Sequence, residues 1–465
     1  MSREMCFAGV EELLSHYASG KWTPLQVTEA MLDRIEALDG QLNAFVFVDR
    51  EGALEQAKAS TQRWKDGEAG GHLDGVPVAV KDVMYMKGFP TAYGSNVLAP
   101  DTPNEVDSPC VARLREAGCV LIGKTTTPEI GWKGITDCPH TGITRNPWNT
   151  ERTPGGSSGG STAAVAAGMV TLATASDGGG SIRIPAGFSG LCGLKPTFGL
   201  VPAWPPSTFG ALSHVGGVGR TVEDCAHMMT VISKPDALDP ASIPSGGLPF
   251  HTLLEGGVSG LKIAYSPTLG GHPVAPDVAA SVKSAVDWFA DNGAQVHEFE
   301  PDMDKVTWAF HVIWTTAAAW RLRDLSEEER AQVDPGLIEI SDQGAAHPVT
   351  DYHQALAVRN DLRMRMCEVF EDIDLMLTPT LPIGAFEAGY NRPRSGEQGS
   401  DWETWTPFTY PFNLTQQPAM TVPCGLTDDG MPIGLQIIGW RGDDALIMQA
   451  AHAFDRSRDW TFPEL

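Results

Sequence analysis

Gly155-Gly-Ser-Ser-Gly-Gly-Ser161 and Asp177-Gly-Gly-Gly-Ser-Ile-Arg183 are two glycine-rich serine motifs that stand close together in the chain. A third motif, Val78-Ala-Val-Lys-Asp82, ends an apolar run with a lysine. Serine hydroxyls beside a lysine supply a nucleophile and a base without any histidine. The three motifs therefore predict nucleophilic catalysis within an α/β framework.

Composition narrows the class of protein. The 465-residue chain is 42% apolar, enough to bury a large core in either one large domain or two. It has 33 Lys and Arg residues against 58 Asp and Glu residues, and the net charge of -25 repels nucleic-acid phosphates and anionic membranes. We therefore expect neither a nucleic-acid partner nor a membrane partner.

The eight cysteines are scattered, without a Cys-x-x-Cys pair, which argues against zinc and against a disulfide framework. Because most of them stand in apolar stretches, we expect buried, reduced thiols. The first residues lack the apolar core of a signal peptide, and the longest uncharged run, 157–176, is too weakly apolar to span a bilayer. These features predict a cytoplasmic protein with no metal and no cofactor.

The order of patterns along the chain is typical of an α/β protein. Thr23-Pro24 predicts the start of a helix, and from Val76 onward short apolar runs alternate with helical patterns. Residues 234–347 are less regular. The elements predicted from there on are a strand at 262–266, a helix at 277–292, a helix at 352–370, strands at 374–378 and 432–439, and a helix at 443–454.

Two familiar motifs match the sequence but are rejected on their context. Gly118-Cys-Val-Leu-Ile-Gly-Lys-Thr125 fits the phosphate-binding loop pattern, yet its central residues predict a buried strand that follows a helix. Gly155-Gly-Ser-Ser-Gly159 fits the nucleophile elbow of α/β-hydrolases, but two prolines in 145–154 predict a loop where that elbow needs a strand.

The glycine triplet Gly178-Gly-Gly180 before Ser181 suggests a different use of the backbone. Glycines let the main chain adopt positive φ and approach a ligand closely, so that successive amides can donate to one developing oxyanion. Taken alone, such a triplet is more often an ordinary tight turn.

Longer motifs carry a specific resemblance. The runs at 76–82, 153–161 and 177–197 closely resemble the amidase signature family, and so do Thr378-Pro-Thr380, Pro411-Phe-Asn413 and Pro432-Ile-Gly-Leu-Gln436. The resemblance covers most of the chain outside about 235–345 and implies one large α/β/α domain, 1–465, with a central mixed twisted sheet flanked by helices. The parts expected within it are an N-terminal helical layer (1–65), the signature core (66–233), a variable substrate-side segment (234–347) and the C-terminal part of the core (348–465).

The resemblance also implies a Ser-cisSer-Lys triad. In it Ser181 is the nucleophile, Ser157 is the bridging serine after a cis peptide bond, and Lys81 is the base. The implied activity is that of an amidase, which cleaves linear amide bonds through an acyl-enzyme.

Further roles follow from the resemblance. The amides expected to form the oxyanion hole are those of Gly178, Gly179, Gly180 and Ser181. Asp177 and Arg183 are expected to brace this loop. Gly178 replaces the bulkier residue that many members carry, which should loosen the loop slightly.

The role of the lysine agrees with elementary acid–base chemistry. Lysine in water has a pKa near ~10.4, so a base at neutral pH requires burial, which disfavours the charged form. A shift of roughly three units costs about 4 kcal/mol. Lys81 closes an apolar strand pattern and can take a proton from Ser157, which in turn takes one from Ser181. Without the serine motifs, a salt bridge with Asp82 would be the simpler explanation of Lys81.

Aromatic residues near these motifs suggest an apolar or aryl group beside the scissile bond, although packing in the core is their more common use. The candidates are Trp204, Phe209, Trp308, Phe310, Trp314, Trp320, Trp402, Trp405, Phe408 and Tyr410. The resemblance adds the loop 131–136. The substrate-binding residues predicted are Gly131, Trp132, Thr136, Trp204, Phe209 and Trp314.

The predicted substrate is a small-molecule amide, ester or carbamate, since all three have a carbonyl that forms a tetrahedral oxyanion. The alternative is the glutamine-hydrolysing component of a tRNA-dependent amidotransferase complex, although the loop 126–148 does not resemble that component. A non-catalytic binding protein is the third interpretation, and the retained serines and lysine argue against it. Family members are often dimers, so the resemblance leaves a homodimer open without a self-complementary face in the sequence to support it.

Overall fold

The protein is seen in a computed structural model that describes residues 2–98, 102–244, 247–393 and 402–465. The strands are β1 (Phe45–Val48), β2 (Pro77–Lys81), β3 (Val120–Thr125), β4 (Asp137–Cys138), β5 (Gly142–Ile143), β6 (Leu172–Asp177), β7 (Cys192–Lys195), β8 (His214–Gly219), β9 (Lys262–Tyr265), β10 (Gln295–Glu298), β11 (Leu375–Pro379), β12 (Ala419–Leu426) and β13 (Pro432–Ile438).

The α-helices alternate with these strands along much of the chain. They are α1 (Ser2–Phe7), α2 (Val10–Ser19), α3 (Pro24–Leu42), α4 (Arg50–Asp66), α5 (Pro109–Glu116), α6 (Gly159–Ala166), α7 (Arg183–Ser189), α8 (Val222–Ile232), α9 (Pro276–Asp291), α10 (Val306–Leu322), α11 (Glu327–Arg330), α12 (Pro335–Ala346), α13 (Val349–Asp372), α14 (Pro411–Leu414) and α15 (Asp444–Asp455).

The central sheet of the described residues has eleven strands in the order β1-β3-β2-β6-β8-β7-β12-β13-β11-β9-β10. β3, β2 and β6 are mutually parallel neighbours, and so are β11, β9 and β10. The other neighbouring pairs are antiparallel. A mixed sheet flanked by helices confirms the predicted α/β fold.

Helices cover both faces of the sheet. In β2, Val78 and Val80 belong to one buried cluster, whereas Ala79 belongs to another. The first cluster includes residues of α2, α5, α8, α9 and α15, and the second includes residues of α4 and α6. A strand that is apolar on both sides is stable only when both faces are covered, so three layers result.

Local sequence patterns predicted several elements correctly. α3 begins behind a capping box, in which Gln26 N donates to Thr23 Oγ1 and Thr23 N donates to Gln26 Oε1. The phosphate-loop match lies in the buried strand β3, and the elbow match follows a loop. Both rejections on context are therefore confirmed.

The less regular segment 234–347 contributes to the sheet as well as to the region around the serines. Its strands β9 and β10 lie at one end of the sheet, and its helix α10 packs beside the glycine loop through Phe310 and Trp314. The irregular sequence pattern reflects the loops between these elements.

All eight cysteines are free, and all of them except Cys367 and Cys424 are buried. Within the described ranges, no helix combines the length and the apolar character that crossing a membrane requires.

Candidate active site

The sheet brings the lysine and both serine motifs to one edge. β2 and β6 are parallel neighbours, so they end on the same side of the sheet, β2 at Lys81 and β6 at Asp177. The first serine motif reaches this side through the loop that leads into α6. That helix is tied to β6 because Ser161 Oγ donates to Thr174 O at 2.8 Å.

Lys81 is completely buried. Its Nζ lies 2.7 Å from Ser157 Oγ, 2.9 Å from Ser158 Oγ and 3.0 Å from Ser176 Oγ. Burial lowers the pKa of Lys81 to about 7, although the negative charge of Asp177 acts in the opposite direction. The uncharged amine is therefore well populated at neutral pH.

Two of these three hydroxyls, those of Ser158 and Ser176, are not predicted by the sequence motifs. The Ser158 hydroxyl donates its proton to Ser176 O at 3.3 Å. Ser158 Oγ therefore accepts a hydrogen bond from one N–H of Lys81, and Ser176 Oγ accepts a hydrogen bond from another. A neutral amine has two N–H bonds and one lone pair, which leaves the lone pair for the Ser157 hydroxyl. The available signal was the position of Ser176 at the end of a strand parallel to the one that carries Lys81.

Ser157 and Ser181 line one cavity. The peptide bond between Gly156 and Ser157 is cis, as the resemblance implied, and Ser158 N donates to Ser181 O at 3.2 Å. In the described part of the chain, the Ser181 hydroxyl makes no hydrogen bond, including none to Ser157. The fold therefore brings the three predicted residues together and leaves the Ser181 hydroxyl unengaged.

The amides of the glycine loop are not equivalent. Gly180 N donates to Asp177 Oδ1 at 2.7 Å, so it is not available to an oxyanion, contrary to the prediction for this residue. The reason is the Asp177 carboxylate, which accepts the hydrogen bond of Gly180 N in the turn that follows Asp177. Among the described residues, the amides of Gly178, Gly179 and Ser181 donate to no acceptor of the protein.

Asp177 and Arg183 form a fully buried ion pair. Arg183 Nε donates to Asp177 Oδ2 at 2.9 Å and Nη2 donates to Oδ1 at 3.0 Å. Burial favours the neutral acid, but the guanidinium of Arg183 holds the pKa of Asp177 well below its usual range. Arg183 Nη1 also donates to Thr409 O and to Gln436 Oε1, at 2.8 Å each. These contacts support the bracing role predicted for the pair.

The cavity has a volume of about 680 Å³, and four of the predicted pocket residues line it: Gly131, Trp204, Phe209 and Trp314. The rings of Phe209 and Trp314 are stacked, with their centroids 3.6 Å apart. Trp314 Nε1 donates to Trp132 O at 3.1 Å, which fixes the orientation of the indole. The two stacked rings form a flat apolar wall. This wall lies beside Gly178, since a Cβ on that glycine would lie 3.2 Å from the Trp314 ring.

The predictions for Trp132 and Thr136 are wrong, since neither residue lines the cavity. The Trp132 side chain is completely buried in the core. Thr136 Oγ1 donates to Gly155 O at 2.9 Å and accepts from Gly159 N at 3.0 Å, so it supports the serine loop from outside. The chain turns at Ile130 and Gly131, where φ is 49° and 73°, and these two residues of the loop 126–136 line the cavity.

Most other aromatic candidates pack in the core. Among the remaining aromatic candidates, Trp320 also lines the cavity. The candidates that lie in the hydrophobic core or pack against it are Trp308, Phe310, Trp402, Trp405, Phe408 and Tyr410. Tyr85, Tyr93 and Ile130 line the cavity from loops and were not predicted, because no motif marks them.

Charged side chains of the cavity wall come from the end of α10 and from the residues after it. Arg321 Nη2 donates to Leu98 O at 2.7 Å, Arg323 pairs with Asp324 at 2.9 Å, and Glu329 accepts from Ser326 Oγ at 2.9 Å. Arg323 and Asp324 thus offset each other's charge, whereas the partners of Arg321 and Glu329 in these contacts are neutral groups. Over the described ranges, no group of three or more His, Cys, Asp or Glu side chains is placed to hold a metal ion.

Comparison with known proteins places the chain in a family. The Amidase family model matches residues 26–448. The chain is 38% identical to an acylamidase from Rhodococcus erythropolis over 97% of this chain and 95% of that protein. It is 34% identical to the A component of the glutamyl-tRNA(Gln) amidotransferase from Chloroflexus aggregans, over 98% of each. A solved bacterial aryl acylamidase superposes with a TM-score of 0.89 at 31% identity, over 97% of this chain and 96% of that one.

The chain belongs to the amidase signature family. It is a hydrolase that acts on the carbon–nitrogen bonds of amides.

Proposed function

We propose that the protein is a stand-alone acylamidase that cleaves neutral amides bearing an aryl or apolar group, with Ser181 as nucleophile, Ser157 as relay and Lys81 as base. The observation that carries this proposal is the buried Lys81 amine, with a pKa of about 7, lying 2.7 Å from Ser157 Oγ at the wall of an aromatic cavity. A poised base within reach of a hydroxyl is what nucleophilic catalysis by serine requires.

The reaction divides into acylation and deacylation. As Ser181 Oγ attacks the carbonyl carbon, its proton passes to Ser157 Oγ, and the proton of Ser157 passes to the lone pair of Lys81. The C–N bond then breaks, and the leaving nitrogen receives a proton returned along the same path. A water molecule activated by the same relay cleaves the Ser181 ester, which releases the carboxylic acid and restores the free hydroxyl.

The negative charge on the carbonyl oxygen needs donors that already point toward it. The amides of Gly178, Gly179 and Ser181 are free for this purpose, and Gly180 is left out because its amide is bonded to Asp177. Each such donor lowers the free energy of the transition state of acyl transfer by roughly 2.7 to 4 kcal/mol.

The cavity favours neutral substrates with an apolar group. The stacked Phe209 and Trp314 rings offer a flat surface to an aryl group, and the charge of Arg323 in the wall is offset by its ion pair with Asp324. The similarity to an acylamidase from Rhodococcus erythropolis supports an acylamide substrate, and the similarity to a solved aryl acylamidase supports an aryl group on it.

A substrate panel tests the proposed class. We expect the purified protein to hydrolyse a 4-nitroanilide of a small acid with a higher kcat/KM than a small aliphatic amide such as propionamide, and to show some activity on an aryl carbamate. Release of nitroaniline, ammonia and phenol measures the three activities. Absence of hydrolysis on all three substrates would reject the proposal.

Replacement of Gly178 tests the cavity wall. The added methyl of Gly178→Ala would lie 3.2 Å from the Trp314 ring, so it narrows the space for an aryl group while it keeps the backbone amide. We expect the ratio of kcat/KM for the anilide to kcat/KM for propionamide to fall by about 10-fold, the lower end of the effect of one methylene in a hydrophobic pocket. An equal loss on both substrates would instead indicate a distorted loop.

The second candidate is the glutaminase component of a tRNA-dependent amidotransferase, which the 34% identity to such a component keeps open. Glutamine carries two charges that would need partners of opposite charge, whereas the wall beside Gly178 is formed by the stacked apolar rings of Phe209 and Trp314. Glutaminase activity that appears only with the other components of such a complex would favour this candidate. Anilide hydrolysis by the isolated chain, whether monomer or homodimer, favours the acylamidase.

A further inference from the structure

The peptide group between Gly179 and Gly180 is held at both of its ends. Its carbonyl oxygen, Gly179 O, accepts a hydrogen bond from Thr409 Oγ1 at 2.7 Å. Its N–H, Gly180 N, donates to Asp177 Oδ1 at 2.7 Å. The plane of this peptide is thus set by two side chains that lie far apart in the sequence.

Thr409 is itself firmly placed. It is completely buried, its backbone N donates to Thr406 O at 3.2 Å, and its backbone O accepts from Arg183 Nη1 at 2.8 Å. Its Oγ1 also lies 3.1 Å from Thr406 O, a longer contact than the 2.7 Å to Gly179 O, so the single hydroxyl proton favours the glycine loop. The contact with the loop is close, because a Cβ on Gly180 would come within 2.5 Å of Thr409 Oγ1. Residue 180 must therefore be glycine for the threonine to reach the loop.

The orientation of this peptide affects the free amides on either side of it. Gly179 N and Ser181 N belong to the two neighbouring peptide groups, and Gly180 has a φ of 134°, which glycine adopts without strain. A run of three glycines is conformationally flexible. A contact from another part of the chain is therefore needed to keep its amide N–H groups directed at the position of the oxyanion. Released from Thr409, the Gly179 carbonyl could rotate and turn both neighbouring amides away.

We propose that Thr409 is a positioning residue for the oxyanion hole, acting through the Gly179 carbonyl. The inference rests on the proposed function, since it presupposes that these amides stabilise an oxyanion. Thr409 contacts neither the cavity nor Lys81, so its effect belongs to the transition state and not to substrate binding or to the base.

The test compares Thr409→Val, which keeps the shape but removes the hydroxyl, with Thr409→Ser, which keeps the hydroxyl. For Thr409→Val we expect kcat on the anilide to fall about 10- to 100-fold, less than the loss of a whole oxyanion donor, with KM within about twofold of wild type. The inhibition constant of phenylboronic acid, which forms a tetrahedral adduct with the serine, should rise by a similar factor. Thr409→Ser should restore most of kcat.

Thr406→Val is the matched control. Thr406 is also buried, on the same segment, and its hydroxyl donates to Trp402 O at 3.4 Å and not to the glycine loop. We expect this variant to keep kcat within about twofold of wild type, and the midpoint of the pH profile to stay near 7 in every variant, because Lys81 is untouched.

Several outcomes would overturn the proposal. Wild-type kcat in Thr409→Val would do so, as would a rise in KM that explains the whole loss, or a Thr409→Ser variant as impaired as Thr409→Val. If Thr409→Val is recovered only unfolded, Thr409→Cys, with a weaker donor of similar size, is measured instead, and wild-type kcat there counts against the proposal. An inactive Ser181→Ala variant beside a fully active Thr409→Val variant would reject this inference alone.

Discussion

Ser181→Ala lowers kcat by about 10⁶-fold, the size of the loss found when a serine nucleophile is removed from a hydrolase. Without the hydroxyl no acyl-enzyme can form, and only the glycine loop and the binding cavity still act on the substrate. The fold should survive, because Ser181 Oγ makes no hydrogen bond in the described structure and the contact with Ser158 N uses the backbone oxygen. The measurement is single-turnover hydrolysis of the anilide, alongside thermal unfolding.

Ser189→Ala is the matched control for this variant. Ser189 is another buried serine, on α7, and its hydroxyl makes long hydrogen bonds of 3.3 and 3.5 Å outside the cavity. We expect Ser189→Ala to keep wild-type kcat and to react with a fluorophosphonate, whereas Ser181→Ala should not be labelled. A folded Ser181→Ala protein with near-normal turnover would refute the role of Ser181.

Lys81→Met lowers kcat/KM by about 10³- to 10⁴-fold at pH 8, near the upper end of what a general base contributes. Methionine fills a similar volume but accepts no proton, so the Ser157 hydroxyl loses its acceptor. In the wild type, kcat/KM should rise with pH, reach half of its maximum near pH 7, and fall to about a tenth of the plateau at pH 6. The measurement is initial rates of anilide hydrolysis from pH 5.5 to 9.

The direction of the pH dependence of kcat/KM is set by which protonation form of Lys81 is active. Burial penalises the ammonium, so the pKa lies at about 7 rather than at 10.5, and the active free amine is lost as the pH falls. In the window from about pH 7 to 10.5 the unfolded chain binds more protons at this residue than the folded chain, so the contribution of Lys81 to stability improves as the pH rises. A flat activity profile from pH 6 to 9, with acylation shown to be rate-limiting, would contradict the assignment of the base.

Much of the fold and of the candidate site could be predicted from the sequence. The alternation of apolar runs with helical patterns predicted an α/β sheet, and the resemblance to the amidase signature family implied that it is mixed. The comparisons and the structure confirm both. The three motifs predicted that Lys81, Ser157 and Ser181 would meet, and they lie together at one edge of that sheet. These features follow from short stretches of sequence, in which a strand end or a glycine loop is specified by adjacent residues.

Other features could not be predicted, and each depends on residues distant in the chain. Trp132 and Thr136 were expected in the pocket, but a turn of the chain at Ile130 and Gly131 leads the residues after it into the core. Ser176 was missed because its contact with Lys81 depends on how β2 and β6 are aligned.

The sequence by itself determined which chemical groups this protein presents: a lysine that ends an apolar strand, and hydroxyls and amides on glycine loops that no larger side chain would permit. Only the tertiary structure decided which of those groups are usable. Burial lowers the pKa of Lys81, Asp177 takes up the Gly180 amide, and Thr409, from the other end of the chain, holds the Gly179 carbonyl. The physical reason is that desolvation and hydrogen-bond pairing depend on everything packed around a group, and most of those neighbours are remote in sequence.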